Sequence, residues 1–171
     1  MSDEYNIVEL PALNQLKNLG WTIIDPKDLI PETSKERQSF KQVILKRVLS
    51  NSIKKLNPWI DDDNLKKVII EIMNISNLGL IEANQKIYNL ITKYFSIEQD
   101  LGKGKKSQTV KIIDFENINN NNFTASNQFK VSGLKQNIVP DIVLFVNGIP
   151  LAVIECKSPF ITNPMEAGIK Q

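Results

Sequence analysis

Two carboxylates and a lysine punctuate the stretch "PDIVLFVNGIPLAVIECK", Pro140 to Lys157. Asp141 opens one apolar run, and Glu155 and Lys157 close the next. The runs "DIVLFV" and "PLAVIE" are β-branched and apolar on both faces, as expected of central strands, and Asn147-Gly148 between them is a strong hairpin signal. An antiparallel pair follows. Glu155 and Lys157 lie two apart and share a face, with Cys156 on the other. The side taken by Asp141 depends on the turn. A strict two-residue loop pairs Val146 with Ile149 and Asp141 with Ile154, leaving Asp141 away from Glu155. A connection one residue wider, through a three-residue loop or a bulge near Pro150, pairs Asp141 with Glu155 instead. In that register the two carboxylates lie within about 5 Å of each other, with Lys157 diagonal to Asp141. A divalent cation between them relieves their repulsion, and hard oxygens suit Mg²⁺. The chemistry open to such a trio is metal-assisted hydrolysis at phosphorus, with the lysine orienting or deprotonating the nucleophile.

The rest of the composition narrows the alternatives. There is no histidine, which excludes imidazole zinc sites and serine-histidine or cysteine-histidine nucleophiles within this chain. Cys156 is the only cysteine, so no internal disulfide forms and a cytoplasmic setting is expected. With 42% hydrophobic and 23% charged residues, the chain has the makeup of a globular domain rather than a disordered one. The 21 basic and 19 acidic side chains give a net charge of +2, too little to argue for nucleic-acid binding by total charge. No apolar stretch reaches the roughly 18 residues of a membrane span, so no membrane partner is expected.

The elements that must position the trio can be read from hydrophobic spacing. Val8, Leu10, Leu13, Leu16 and Leu19 form a helical stripe that ends at Gly20. Thr33 or Ser34 is placed to cap a longer helix through "KERQSFKQVILKRVLSNSIKKLN", ended by Pro58. Two more helices are expected over "DDDNLKKVIIEIMN", with aspartates at its positive end, and over "LIEANQKIYNLITKYF". After Phe95 the period becomes two. "LGKGKK" reads as the tip of a hairpin, "NINNNN" as a polar run, and "FTASNQFKV" as another strand. The expected architecture is mixed α/β, a central mixed sheet flanked by helices with a mostly helical N-terminal half, folded as one domain over residues 1–171. "GKGKKS", Gly102 to Ser107, lacks the spacing of a phosphate-binding loop, so ATP binding is not encoded here.

"PD", thirteen residues, then "ECK" resembles the Asp … Glu-x-Lys signature of restriction-endonuclease-like nucleases. Together with "VELPALNQLKNLGW", "LNP" and "IDFENINNNNFTASNQFKV", the chain resembles, over nearly its whole length, the N-terminal nuclease domain of the restriction (R) subunit of type I restriction-modification enzymes. That resemblance implies a restriction-endonuclease-like core that cuts double-stranded DNA with Mg²⁺ after ATP-driven translocation. The motor domains would lie outside this chain, and modification (methyltransferase) and specificity subunits would be its partners. It implies Asp141 and Glu155 as metal ligands, Lys157 as the catalytic lysine, and Glu9 as a further ligand or a support behind the metal. Gln171 resembles the first residue of the family's Gln-x-x-x-Tyr helix, which positions DNA. Its tyrosine would fall beyond the chain, and "NPMEAGIKQ" reads as a helix beginning at Asn163, so the chain is expected to be part of a longer subunit. Two departures stand out: "NIVPD" lacks the basic residues that often precede Pro-Asp, and Cys156 replaces a common leucine.

Other roles compete for these residues. Glu9 at a helix start is also favoured by the helix dipole. Lys103, Lys105 and Lys106 suit a solvated turn better than a DNA clamp. Trp21 and Trp59 suit packing better than base stacking, and Cys156 suits a small apolar filler. The rival function is a non-catalytic docking module of the same fold, linking motor and methyltransferase subunits.

Overall fold

The computed structural model describes residues 4–77, 79–93, 95–133, 136–160, 162 and 164–169. In chain order they form a π-helical turn (Tyr5–Glu9), α1 (Leu10–Asn18), β1 (Thr22–Ile23), α2 (Lys46–Leu56), α3 (Asp62–Met73), α4 (Leu80–Thr92), β2 (Phe95–Asp100), β3 (Lys105–Val110), β4 (Phe123–Asn127), β5 (Val131–Ser132), β6 (Asn137–Ile138), β7 (Ile142–Val146), β8 (Ile149–Ile154) and α5 (Pro164–Ile169). The fold is mixed α/β, with the helices mostly in the N-terminal half. Two compact units share the chain, one from Met1–Leu45 and Phe123–Gln171, the other from Lys46–Asn122.

The first unit carries the four-stranded sheet, in the order β1-β4-β7-β8. β1 runs parallel to β4, and the pairs β4/β7 and β7/β8 are antiparallel. Pro11 sits in the first turn of α1, directly after the π-helical turn, and the helix gives way at Gly20 with φ +91°. Leu13, Ala125, Ile142 and Cys156 form a buried cluster, with Val8, Ala12, Leu16 and Trp21 packed against it. Trp21 also meets Phe123, ring centroids 5.2 Å apart, which is the packing role expected of it. Leu10 and Leu19, which the stripe groups with these residues, are 39% and 67% exposed. The buried arc of α1 is narrower than the spacing implies, and Leu19 lies beyond the helix end.

The long second helix of the sequence reading is only half present. α2 begins at Lys46, and residues 35–45 are irregular. Ser34 Oγ accepts from the N–H groups of Glu36 and Arg37 at 3.0 and 3.3 Å, as a cap would. The chain then wraps around Arg37 instead of winding into a helix. Arg37 Nε donates to the Gln42 carbonyl at 2.7 Å, and Nη2 donates to the carbonyls of Phe40 at 3.1 Å and Lys130 at 2.9 Å. A buried guanidinium that takes these carbonyls removes acceptors a helix would have used. Burial lowers the Arg37 pKa to about 10, which leaves it cationic at neutral pH.

In the second unit, Asp61 caps α3 by accepting from the Asn64 N–H at 2.8 Å, with Asp62 and Asp63 in the first turn. β2 and β3 make the predicted hairpin, whose tip carries Gly102 and Gly104 at φ +89° and +79°. Lys103, Lys105 and Lys106 are exposed there. The Asn run is more ordered than its polarity suggests, because the Asn121 carboxamide accepts from the Asp114 N–H at 2.9 Å and donates to its carbonyl at 2.8 Å. α2 ends before Pro58, and buried Asn57 then joins two segments. Its Nδ2 donates to the carbonyls of Ile53 at 2.8 Å and Lys111 at 2.7 Å, while its Oδ1 accepts from the Lys111 N–H at 2.8 Å. Asn57→Ala strands both backbone groups of Lys111 and is expected to cost about 2–3 kcal/mol in urea unfolding. Asn57→Asp, which keeps only the acceptor, should fall between alanine and the native residue.

Candidate functional site

The hairpin decides where the acids lie. Asn147 and Gly148 form a tight two-residue turn, with φ +51° and +83°. Val146 pairs with Ile149 and Phe145 with Pro150, but Leu144 then pairs with Ala152, so Leu151 is an extra residue on β8. Of the two registers open to the sequence, the bulged one forms. Past the bulge Ile142 pairs with Ile154, which sets Asp141 and Glu155, one residue outward on each strand, opposite each other on one face. β7 is buried as expected, whereas Leu151, Val153 and Ile154 are exposed. The reading of both runs as central strands is therefore corrected for β8, which lies at the sheet's edge.

Asp141 is held by the opposing strand end, where its Oδ2 accepts from the Cys156 N–H at 2.7 Å. Glu155 has its pKa raised, first by partial burial, then by the charge of Asp141 and a side-chain hydrogen bond with it. Lys157 opposes the shift, and Glu4 adds to it more weakly. The two acids and the ammonium thus act on one another across the strand ends. Cys156 points the other way, into the core, and its thiol is pushed up to about 11 by burial and by the charges of Asp141, Glu9, Glu4 and Glu155. It is the inert filler expected of it.

Glu9 is almost fully buried, at 3% exposure, and both of its oxygens accept from Gln128 Nε2, at 3.3 and 3.2 Å. Gln128 has φ +49°, a conformation uncommon outside glycine, and its N–H donates to the Asp141 carbonyl at 2.9 Å. Glu9 therefore reaches Asp141 through Gln128. Among the described residues no three of Asp, Glu and Cys come together closely enough to hold an ion as a set. Two facing carboxylates, one with its pKa raised by partial burial and by the charge of the other, fit a cation such as Mg²⁺, which takes one or two carboxylates and keeps its waters. Gln171 and Asn163 lie outside the described residues.

Sequence reasoning missed Gln128 and Glu4. Glu4 Oε2 accepts from the Ser158 N–H at 2.8 Å, tying the helix start to the segment just after Lys157. No spacing rule links residues 154 positions apart. The positive φ of Gln128 has no signature in "SNQFKV" either, since nothing there requires glycine.

The whole chain, residues 1–171, matches the family described as Type I restriction enzyme R protein N terminus. The chain belongs to that family. It is 38% identical over 162 residues to the putative type I restriction enzyme MjaIXP endonuclease subunit of Methanocaldococcus jannaschii, covering 93% of this chain and 15% of that protein. It is 32% identical over 156 residues to the type I restriction enzyme HindI endonuclease subunit of Haemophilus influenzae, covering 90% of this chain and 15% of that protein. The chain thus spans 15% of the length of these two relatives. Among the described residues no helix is long and apolar enough to cross a membrane.

Proposed function

We propose that this chain is the Mg²⁺-dependent endonuclease part of a type I restriction enzyme R subunit, hydrolysing phosphodiester bonds of double-stranded DNA. In the whole enzyme ATP-driven motor domains would deliver the DNA, and modification and specificity subunits would choose the site, in the cytoplasm. The observation that carries this reading is the bulge at Leu151, which gives Asp141 and Glu155 a common face. A neutral hairpin with solvent-facing ends has no need of a bulge that sets like charges opposite each other.

Bound Mg²⁺ would supply charge stabilisation to the phosphoryl oxygens and a more acidic water. Asp141 and Glu155 would hold it, with Asp141 kept in place by the Cys156 N–H. Lys157 would orient the attacking water and receive or return its proton. Glu9 would act through Gln128, fixing the backbone beneath Asp141. The test is the assembled enzyme with DNA, ATP and Mg²⁺, scoring strand breaks and translocation separately. A complex that translocates but never cuts would replace the nuclease reading with the docking one.

A pH dependence follows from the raised pKa of Glu155. The folded state holds this proton more tightly than the unfolded chain does. Its contribution to stability is therefore complete below the ordinary glutamate range and lost as pH rises through the raised value. A divalent cation needs the ionised form, so the stabilisation by Mg²⁺ should grow across the same window. Melting curves with and without Mg²⁺ from pH 4 to 8 should diverge as pH rises, and Glu155→Gln should hold them together.

A further inference from the structure

A second feature of the first unit lies behind Gln128. A cavity of about 320 Å³ is lined by Lys27, Arg37, Phe40, Gln128, Phe129 and Lys130, among others. This is near the lower end of small-ligand pockets, roughly 300–1,000 Å³. Three of its walls are cationic, and none of the three cations pairs with a carboxylate among the described residues. Aromatic faces hold two of them instead. The Arg37 guanidinium lies 4.0 Å from the Phe129 ring centroid and 5.6 Å from that of Phe40, and Lys130 Nζ lies 4.8 Å from the Phe40 centroid.

Held in this way, the cations keep donors in hand. Arg37 uses Nε and Nη2 on carbonyls, while Nη1 makes no hydrogen bond to a described residue. No fully enclosed side-chain nitrogen among the described residues lacks a partner. Nη1 therefore opens onto space, and for a residue 2% exposed the space it lines is this cavity. Lys27 and Lys130 stand exposed at the rim. A single anionic group with an apolar flank matches that lining.

We infer that this cavity seats a backbone phosphate of the DNA strand, next to the one presented to Asp141 and Glu155. Gln128 joins the two places: it is among the residues lining the cavity, its side chain holds Glu9, and its N–H is bonded to the Asp141 carbonyl. A phosphate drawn in by Lys27, Lys130 and Arg37 lies along the same strand end as the acids, so a duplex whose backbone passes over Gln128 meets both. The ligand class rests on the nuclease reading, whereas the cavity and its charges do not. Sequence position gives little hint of it, since Lys130 lies 93 positions from Arg37.

The test uses this chain and a labelled duplex of arbitrary sequence, with affinity followed against salt. Each phosphate contact removed lowers the slope of log K against log[salt] by about 0.9. The double variant Lys27→Gln/Lys130→Gln, which takes both rim cations from that one phosphate, should therefore lower it by about 0.9 and weaken binding about tenfold or more at low salt. Lys27→Arg/Lys130→Arg should restore both, and Lys103→Gln/Lys106→Gln, at the hairpin tip, should leave both unchanged. Both rim lysines are exposed, so the melting temperature should not move. An unchanged slope in the double glutamine variant overturns the inference, as does a wild-type chain that fails to bind the duplex at low salt. Neither result touches cleavage by the assembled enzyme. That enzyme failing to cut while the slope falls as expected would instead remove the nuclease reading and leave a DNA-binding cavity.

Discussion

Asp141→Ala in the assembled enzyme is expected to lower the rate of DNA cleavage by on the order of 10³-fold, with ATP hydrolysis and translocation unchanged. Charge stabilisation by a catalytic metal is worth several kcal/mol, and each 1.4 kcal/mol is about a decade in rate, so losing one of the two proposed carboxylate ligands would account for a drop of that size. Asp141 has a second function, accepting the Cys156 N–H, and a simple loss of anchoring has to be separated from a loss of charge. Asp141→Asn separates them, because a carboxamide still offers an oxygen to that N–H but carries no charge. Both variants should lose cleavage alike if charge is what matters. Removing the neighbouring charge should also bring the Glu155 pKa back toward the ordinary glutamate range, which a carboxyl NMR titration can read. Glu9→Gln should be milder, about 10–100-fold, because Glu9 works through Gln128 and groups behind a metal's own ligands typically matter by that factor. Cleavage by Asp141→Ala at the wild-type rate would end the nuclease reading.

How far the site was legible varies residue by residue. The hairpin was plain, because Asn147-Gly148 between two apolar runs leaves few other solutions. The register was not: the same text supports both faces for Asp141, and the bulge at Leu151 that decides between them depends on how the whole sheet pairs. Local periodicity also misled at residues 35–45, where Phe40, Val43, Ile44 and Leu45 keep helical spacing but are not helical. There the buried Arg37 claims carbonyls that a helix would need, and the Leu45 N–H goes to the Gly148 carbonyl of the hairpin turn. The Arg37 bond to the Lys130 carbonyl and the Leu45 bond to Gly148 reach residues far along the chain, which a window of ten or fifteen residues does not contain. Glu9 was a candidate because it matches a glutamate in the first helix of the family that the chain resembles. Its partner Gln128 was not, because a side-chain amide in a strand-like run carries no sign of the positive φ it adopts.

The largest effect on stability is expected at Arg37. Its three hydrogen bonds end on the carbonyls of Phe40, Gln42 and Lys130, and the last of these ties residues 37–42 to a segment 93 positions away. Arg37→Ala removes all three donors and the stacking on Phe129, and leaves part-buried carbonyls without partners. At about 1–3 kcal/mol for each unsatisfied group, with partial relief from water entering the space, the loss should be about 3–5 kcal/mol. Against a typical stability of about 5–15 kcal/mol this is enough to shift the urea midpoint well below that of the wild type. Arg37→Lys tests whether charge alone suffices. An ammonium keeps the cation but not the planar fork that serves Gln42 on one edge and Phe40 and Lys130 on another, so lysine should recover less than half of the loss. Arg37→Met fills the volume of the stem with no donors and should be nearly as unstable as alanine, which would place the cost in the orphaned carbonyls rather than in an empty space. A methionine variant as stable as the wild type would mean that water satisfies those carbonyls, and that residues 35–45 are held in place by apolar packing instead of by the guanidinium.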